Sequence, residues 1–103
     1  MKIQSQQIVI AKEKVIDYLL VHKQQNDKSA FLERLGFSIN NYAELIDEII
    51  FIATHNEATL SRESIYGNLY KVEGLLRSKA VITIWLEKTE TEQFLFITLY
   101  PNL

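Results

Sequence analysis

Near Thr59 the spacing of apolar residues in this chain changes from a helical period to a period of two, and that switch constrains the fold more than any other feature. Before it, Ala11, Val15, Tyr18, Leu19 and His22 form one stripe, which predicts a helix from Ala11 to about Lys23. A short second helix carries Phe31, Leu32 and Leu35. Asp27 is placed to accept hydrogen bonds from its first N–H groups, and Gly36 to end it. Phe37 then folds back on the last turn, as in a Schellman cap. Asn41 with Glu44 reads as a capping box for a third helix bearing Tyr42, Leu45, Ile46, Ile49 and Ala53 and ending near His55-Asn56.

Beyond Thr59, β-branched and aromatic residues alternate with others in runs divided by Arg77-Ser78 and by Thr89-Glu90-Thr91-Glu92. Strands are predicted at about Ile65–Leu76, Lys79–Glu87 and Gln93–Tyr100, with a shorter one around Ala58–Arg62. Joints this short force antiparallel hairpins, and Pro101 stops the last strand. The expected fold is α+β: about three N-terminal helices packed on one face of a three- to four-stranded antiparallel β-meander. With 103 residues and 48% hydrophobic composition there is material for one core, so residues 1–103 are read as one domain, helical over 11–56 and sheet over 58–101.

Alternation also assigns faces. Ile82, Ile84 and Leu86 with Leu95, Ile97 and Leu99 are expected under the helices. The other face, Val81, Thr83, Trp85, Phe94, Phe96, Thr98 and Tyr100 with Tyr70 and Val72, is then expected to be open, either packed on a partner or used for binding.

Several chemistries are excluded or unsupported. The chain has no cysteine, so thiol catalysis and thiolate metal sites are absent. Its two histidines lack zinc-site spacing, and no Walker, dinucleotide or nucleophile-elbow signature occurs, so neither metal nor cofactor is expected. A net charge of −2 gives no global attraction to nucleic acid. No apolar run approaches the ~20 residues of a membrane span, and no secretory signal is evident, so a cytoplasmic location is expected.

Five segments in order carry a resemblance: 15–20 (VIDYLL), 27–37 (DKSAFLERLGF), 66–70 (YGNLY), 81–85 (VITIW) and 97–101 (ITLYP). Together they resemble a small bacterial family, the domain of unknown function numbered six-eight-eight-three, found alone or at the C-terminus of polymorphic toxins. Helices followed by a sheet ending in Thr-x-Tyr-Pro are in turn similar to the ribonuclease superfold of barnase, EndoU, colicin and RelE toxins. That likeness implies RNA lying across an exposed sheet face and metal-independent cleavage. It implies roles for Lys28 at the start of the second helix, His55 at the end of the third, and the strand hydroxyls Thr83, Thr98 and Tyr100. Leu95, Phe96 and Ile82 stand where the resemblance leads one to expect arginines, which removes cations that would stabilise a phosphorane.

Two functions are thus open, beside a small-molecule pocket between sheet and helices for which no motif speaks. One is a toxin-like ribonuclease-fold domain that binds or cleaves RNA, with His55, Lys28, Thr98 and Tyr100 catalytic and Tyr70, Thr83, Trp85, Phe94 and Phe96 as the binding face. The other is a non-enzymatic interaction module, a homodimer or an antitoxin-like partner, that buries the same aromatic face against another chain.

Overall fold

The computed structural model describes residues 1–20 and 28–102. After a 3-10 turn at Ser5–Gln7 come β1 (Ile8–Val9) and α1 (Lys12–Lys14), which continues as a π-helical turn over Val15–Leu19. Next are α2 (Lys28–Arg34), a 3-10 turn at Ile39–Asn41 and α3 (Tyr42–His55). β2 (Ala58–Ser64), β3 (Gly67–Leu76), β4 (Lys79–Lys88) and β5 (Gln93–Pro101) follow. The fold is α+β, but not a plain antiparallel meander behind N-terminal helices. The five strands run in the order β1-β5-β4-β3-β2, and β1 pairs parallel to β5, so the helices lie in sequence between the first strand and the rest. Ile8-Val9 is too short to show a period, which hides this strand in the sequence.

Local signals explain most element ends. The Gly36 N–H bonds to the Glu33 carbonyl and the Phe37 N–H to the Leu32 carbonyl, with Gly36 at φ +90° and Phe37 buried, as a Schellman cap requires. Asn41 is the N-cap of α3, as expected, but makes no side-chain cap bond there; the capping box sits on the preceding 3-10 turn with Ser38 as its cap. The Ser38 hydroxyl accepts from the Asn40 N–H, and the Ser38 N–H donates to Asn41 Oδ1 at 2.7 Å. Asn41 Nδ2 then reaches the Gly36 carbonyl and Glu44, which ties the end of α2 to the start of α3. Ile65 and Tyr66 form the β2–β3 turn instead of opening β3. His22 and Asp27 lie outside the described residues.

The β3–β4 hairpin turns on Arg77 and Ser78, both left-handed (φ 48° and 71°), the twist that a two-residue hairpin favours. Arg77 then spans three elements. Its guanidinium donates to the Leu35 carbonyl at 2.7 Å, to Glu48 at 3.2 Å and to Glu44 at 3.3 Å, and lies over the Phe37 ring. About a third of the side chain stays exposed, which screens the ion pairs. Arg77→Ala should therefore lower stability by about 1–2 kcal/mol, chiefly through the helix-end bond and the ring contact, read as a lower urea midpoint at unchanged slope. Arg77→Gly should recover part of that loss by relaxing the left-handed backbone.

The helices cover the sheet on one side. Leu45, Ile49, Ile52 and Ala53 of α3, with Val15, Leu19 and Leu32, form one cluster with Val72, Val81, Trp85, Phe94, Phe96 and Leu99. A Cβ on Gly74 would come within 2.7 Å of Ile52, so this glycine serves the close approach of α3 and makes no bend; it pairs regularly with Val81. The expected assignment of faces is thus reversed for β3, β4 and the first half of β5. Both faces of β4 are apolar, so alternation could not choose between them. The neighbouring strands choose: the side that sets Tyr70, Phe94 and Phe96 around Trp85 lies under the helices, and the side that carries Lys71 and Glu73 does not. A bulge adds to this. Ile84 pairs with Thr98 but Trp85 with Phe96, which leaves Ile97 as the extra residue. Phe94, Phe96 and Leu99 consequently point to the helices, and Thr98 and Tyr100 point away.

Candidate interaction face

The side of the sheet away from the helices is built from cross-strand rungs whose order follows from the register. The first holds Arg62, Leu69, Leu86, Leu95 and Val9. The second holds Thr59, Lys71, Ile84 and Thr98, and the third Glu73, Ile82 and Tyr100. Leu75 and Ala80 close the face. Leu69, Ile84, Leu86, Leu95 and Ile97 are half-buried, and Val9 and Tyr100 each keep 38% of their surface exposed. None of these side chains belongs to the core cluster, although Ile82 on the third rung is itself buried. Lys71 and Glu73 sit side by side on β3, Arg62 at the rim.

This face was assigned the wrong way round from sequence, though a signal was available. Residues two apart on a strand share a face, so Lys71 and Glu73 must both point one way, and hairpin pairing sets them opposite Ile84 and Ile82. Two neighbouring charges mark the solvent side. Trp85 and Thr83, also two apart, can satisfy each other, which is what allows their burial.

The residues proposed for RNA binding fall in different places. Trp85 and Thr83 are wholly buried: the indole N–H donates to Thr83 Oγ1 at 2.8 Å, and that hydroxyl donates to the Val72 carbonyl at 2.9 Å. Phe96 meets Trp85 edge-on, and Phe94 meets the half-buried Tyr70 in the same way. As core residues, Thr83, Trp85, Phe94 and Phe96 offer nothing to a ligand, and the expectation of an exposed aromatic face is corrected. Thr98 and Tyr100 are on the open face. His55 is not with them. It ends α3 on the helix side, its ring stacked at 3.8 Å on Phe51 and its Nδ1 3.0 Å from the Phe51 carbonyl. The Thr54 hydroxyl lies equally close to Nδ1 at 3.0 Å, and the ring closes the helix end. Around it lie Phe51, Ile52 and Asn56, and Leu75 reaches them round the edge of β3, where β2 no longer pairs with it. The sheet therefore separates His55 from Thr98 and Tyr100. Lys28 opens α2, and its side chain lies outside the described residues.

Among the described residues no cluster of three or more His, Cys, Asp or Glu could hold a metal ion, and no helix is long and apolar enough to cross a membrane. No curated protein and no solved structure matches the chain, so the likeness to the ribonuclease superfold has no structural neighbour beside it. Residues 3–103, nearly the whole length, match the model of the family described as Domain of unknown function (DUF6883), and the chain belongs to that family.

Proposed function

We propose that this chain is a non-enzymatic interaction module whose working surface is the open, aliphatic face of its sheet. One observation carries the reading: Leu69, Ile84, Leu86, Leu95 and Ile97 form a contiguous apolar face outside the core cluster, each of them still partly exposed. Contiguous apolar surface of this extent costs solubility unless another surface covers it. Its charges are mixed, Lys71, Arg62 and the rim residue Lys88 beside Glu73 and Glu57, and do not form a row of cations for a phosphate backbone.

Because the chain has no cysteine, a single introduced thiol reports on coverage cleanly. Ile84→Cys probes the open face and Glu90→Cys the exposed β4–β5 loop. The ratio of their maleimide-labelling rates is expected to fall several-fold inside producing cells relative to the dilute, purified chain. An unchanged ratio would show that nothing covers the face.

A second reading keeps RNA as the ligand, because Thr98 and Tyr100 share the open face with Lys71. Metal-independent cleavage by the set first suggested would need His55 to act from the other side of the sheet. Induced expression followed by growth curves and RNA gels decides it. The interaction reading expects normal growth and intact RNA, whereas fragments lost in Tyr100→Phe would support the nuclease.

A further inference from the structure

We infer that the partner of this face is a second copy of the same chain, packed sheet on sheet about a twofold axis that runs along the rungs between Lys71 and Glu73. The inference rests on the interaction reading above and names its occupant. A twofold axis lying in the interface, parallel to the rungs, keeps each strand over its own copy and reverses the order of the rungs. The rung with Lys71, Ile84 and Thr98 then faces the partner's rung with Glu73, Ile82 and Tyr100. Lys71 of each copy meets Glu73 of the other, so the twofold makes two ion pairs from the two charges in the middle of the face. Ile84 meets Ile82, and Leu69 meets Leu75. Lys71 and Glu73 face no equal charge, and the aliphatic positions Ile82, Ile84, Leu69 and Leu75 face one another.

The axis passes nearest these central rungs, where sheet twist displaces opposed residues least. The same register shifted by one rung sets Lys71 over Lys71, which like-charge repulsion disfavours. Charge therefore fixes the register while aliphatic area supplies the attraction. The area sets the strength. Four strands at ~4.8 Å and seven residues at ~3.3 Å give a face about 20 Å on a side, or ~400 Å² of projected area per copy. Two such faces come to ~800 Å², below the ~1,200 Å² of standard specific interfaces, so the pairing is expected to be weak and is sought at roughly 0.01–1 mM protein.

Sedimentation equilibrium over that concentration range tests the pairing. Wild type is expected to show a reversible monomer–dimer equilibrium. Lys71→Glu and Glu73→Lys should each weaken self-association by about ten-fold or more, since each creates two like-charge contacts per dimer. Mixing the two variants should restore a heterodimer, as should combining both changes in one chain. Both positions are at the surface, and far-UV circular dichroism confirms that each variant is folded. A wild type that stays monomeric overturns the inference, and so does a dimer indifferent to both reversals. If the Ile84 thiol is nevertheless protected in cells, the interaction reading survives with a different partner, whereas protection abolished by ribonuclease treatment assigns the face to RNA.

Discussion

Trp85→Ala is expected to leave most of the chain unfolded at 37 °C. The indole is wholly buried at the centre of the sheet, edge-on to Phe96 and beneath the helices. Emptying such a site costs about 3–5 kcal/mol, against a total stability of about 5–15 kcal/mol for a domain of this kind. The substitution also removes the donor to Thr83 Oγ1, though that hydroxyl still donates to the Val72 carbonyl. Urea unfolding followed by circular dichroism measures the loss, and Trp85→Phe, which keeps an aromatic ring in the space, should lose clearly less. The result separates the two assignments of the sheet's faces. Were the aromatic side exposed, removing Trp85 would change stability by no more than about 0.5 kcal/mol.

The second large effect is expected at Gly67. It leaves the Ile65-Tyr66 turn at φ +140°, a region that side chains avoid, at about 1–3 kcal/mol of strain. An added Cβ would also lie 2.3 Å from the Glu87 carbonyl oxygen on the neighbouring strand. That neighbour is backbone, so the clash is relieved only by opening the last rungs of the β3–β4 ladder. Gly67→Ala should cost at least the strain figure, and hydrogen exchange should show the loss first at Asn68, whose side chain bonds Glu87 across the same rung. Ala in place of Gly74, by contrast, meets the Ile52 side chain and Asn56 Nδ2, which can shift.

These two positions show how differently parts of the fold are written into the sequence. Turns and caps are local, and a local signal suffices for them: Gly36 followed by Phe37 announces its Schellman cap, and Arg77-Ser78 its hairpin. Asn41 is the N-cap of α3 as expected, but the capping box falls one turn earlier because Ser38 and Asn41 are both good capping residues. The backbone path through Ile39–Asn41 chooses Ser38 and turns Asn41 into its partner. Faces are not local. With Val81, Thr83 and Trp85 on one side of β4 and Ile82, Ile84 and Leu86 on the other, hydrophobicity taken alone favours the wrong side. The decision rests on where Lys71 and Glu73 go, on the Trp85–Thr83 bond, and on a bulge at Ile97 that no glycine marks. The candidate site inherited that error. Thr98 and Tyr100 were placed on the open side, and their supposed companions Thr83, Trp85, Phe94 and Phe96 proved to be core. His55 was correctly put at a helix end, but helix periodicity carries no information about which side of the sheet that end reaches.

The parallel pairing of β1 with β5 joins Ile8 to Phe94 across almost the whole chain. Every other rung of the sheet closes between strands that are neighbours in sequence. The hairpins can therefore form early and in any order, while the β1 rung has to wait for the last strand and pay the largest loop-closure entropy of any contact in the sheet. During synthesis the N-terminal segment emerges first and finds its place last. Until then the outer edge of β5 is an unpaired strand edge, and the interval before β1 docks is when the chain is most exposed to association with the wrong neighbour.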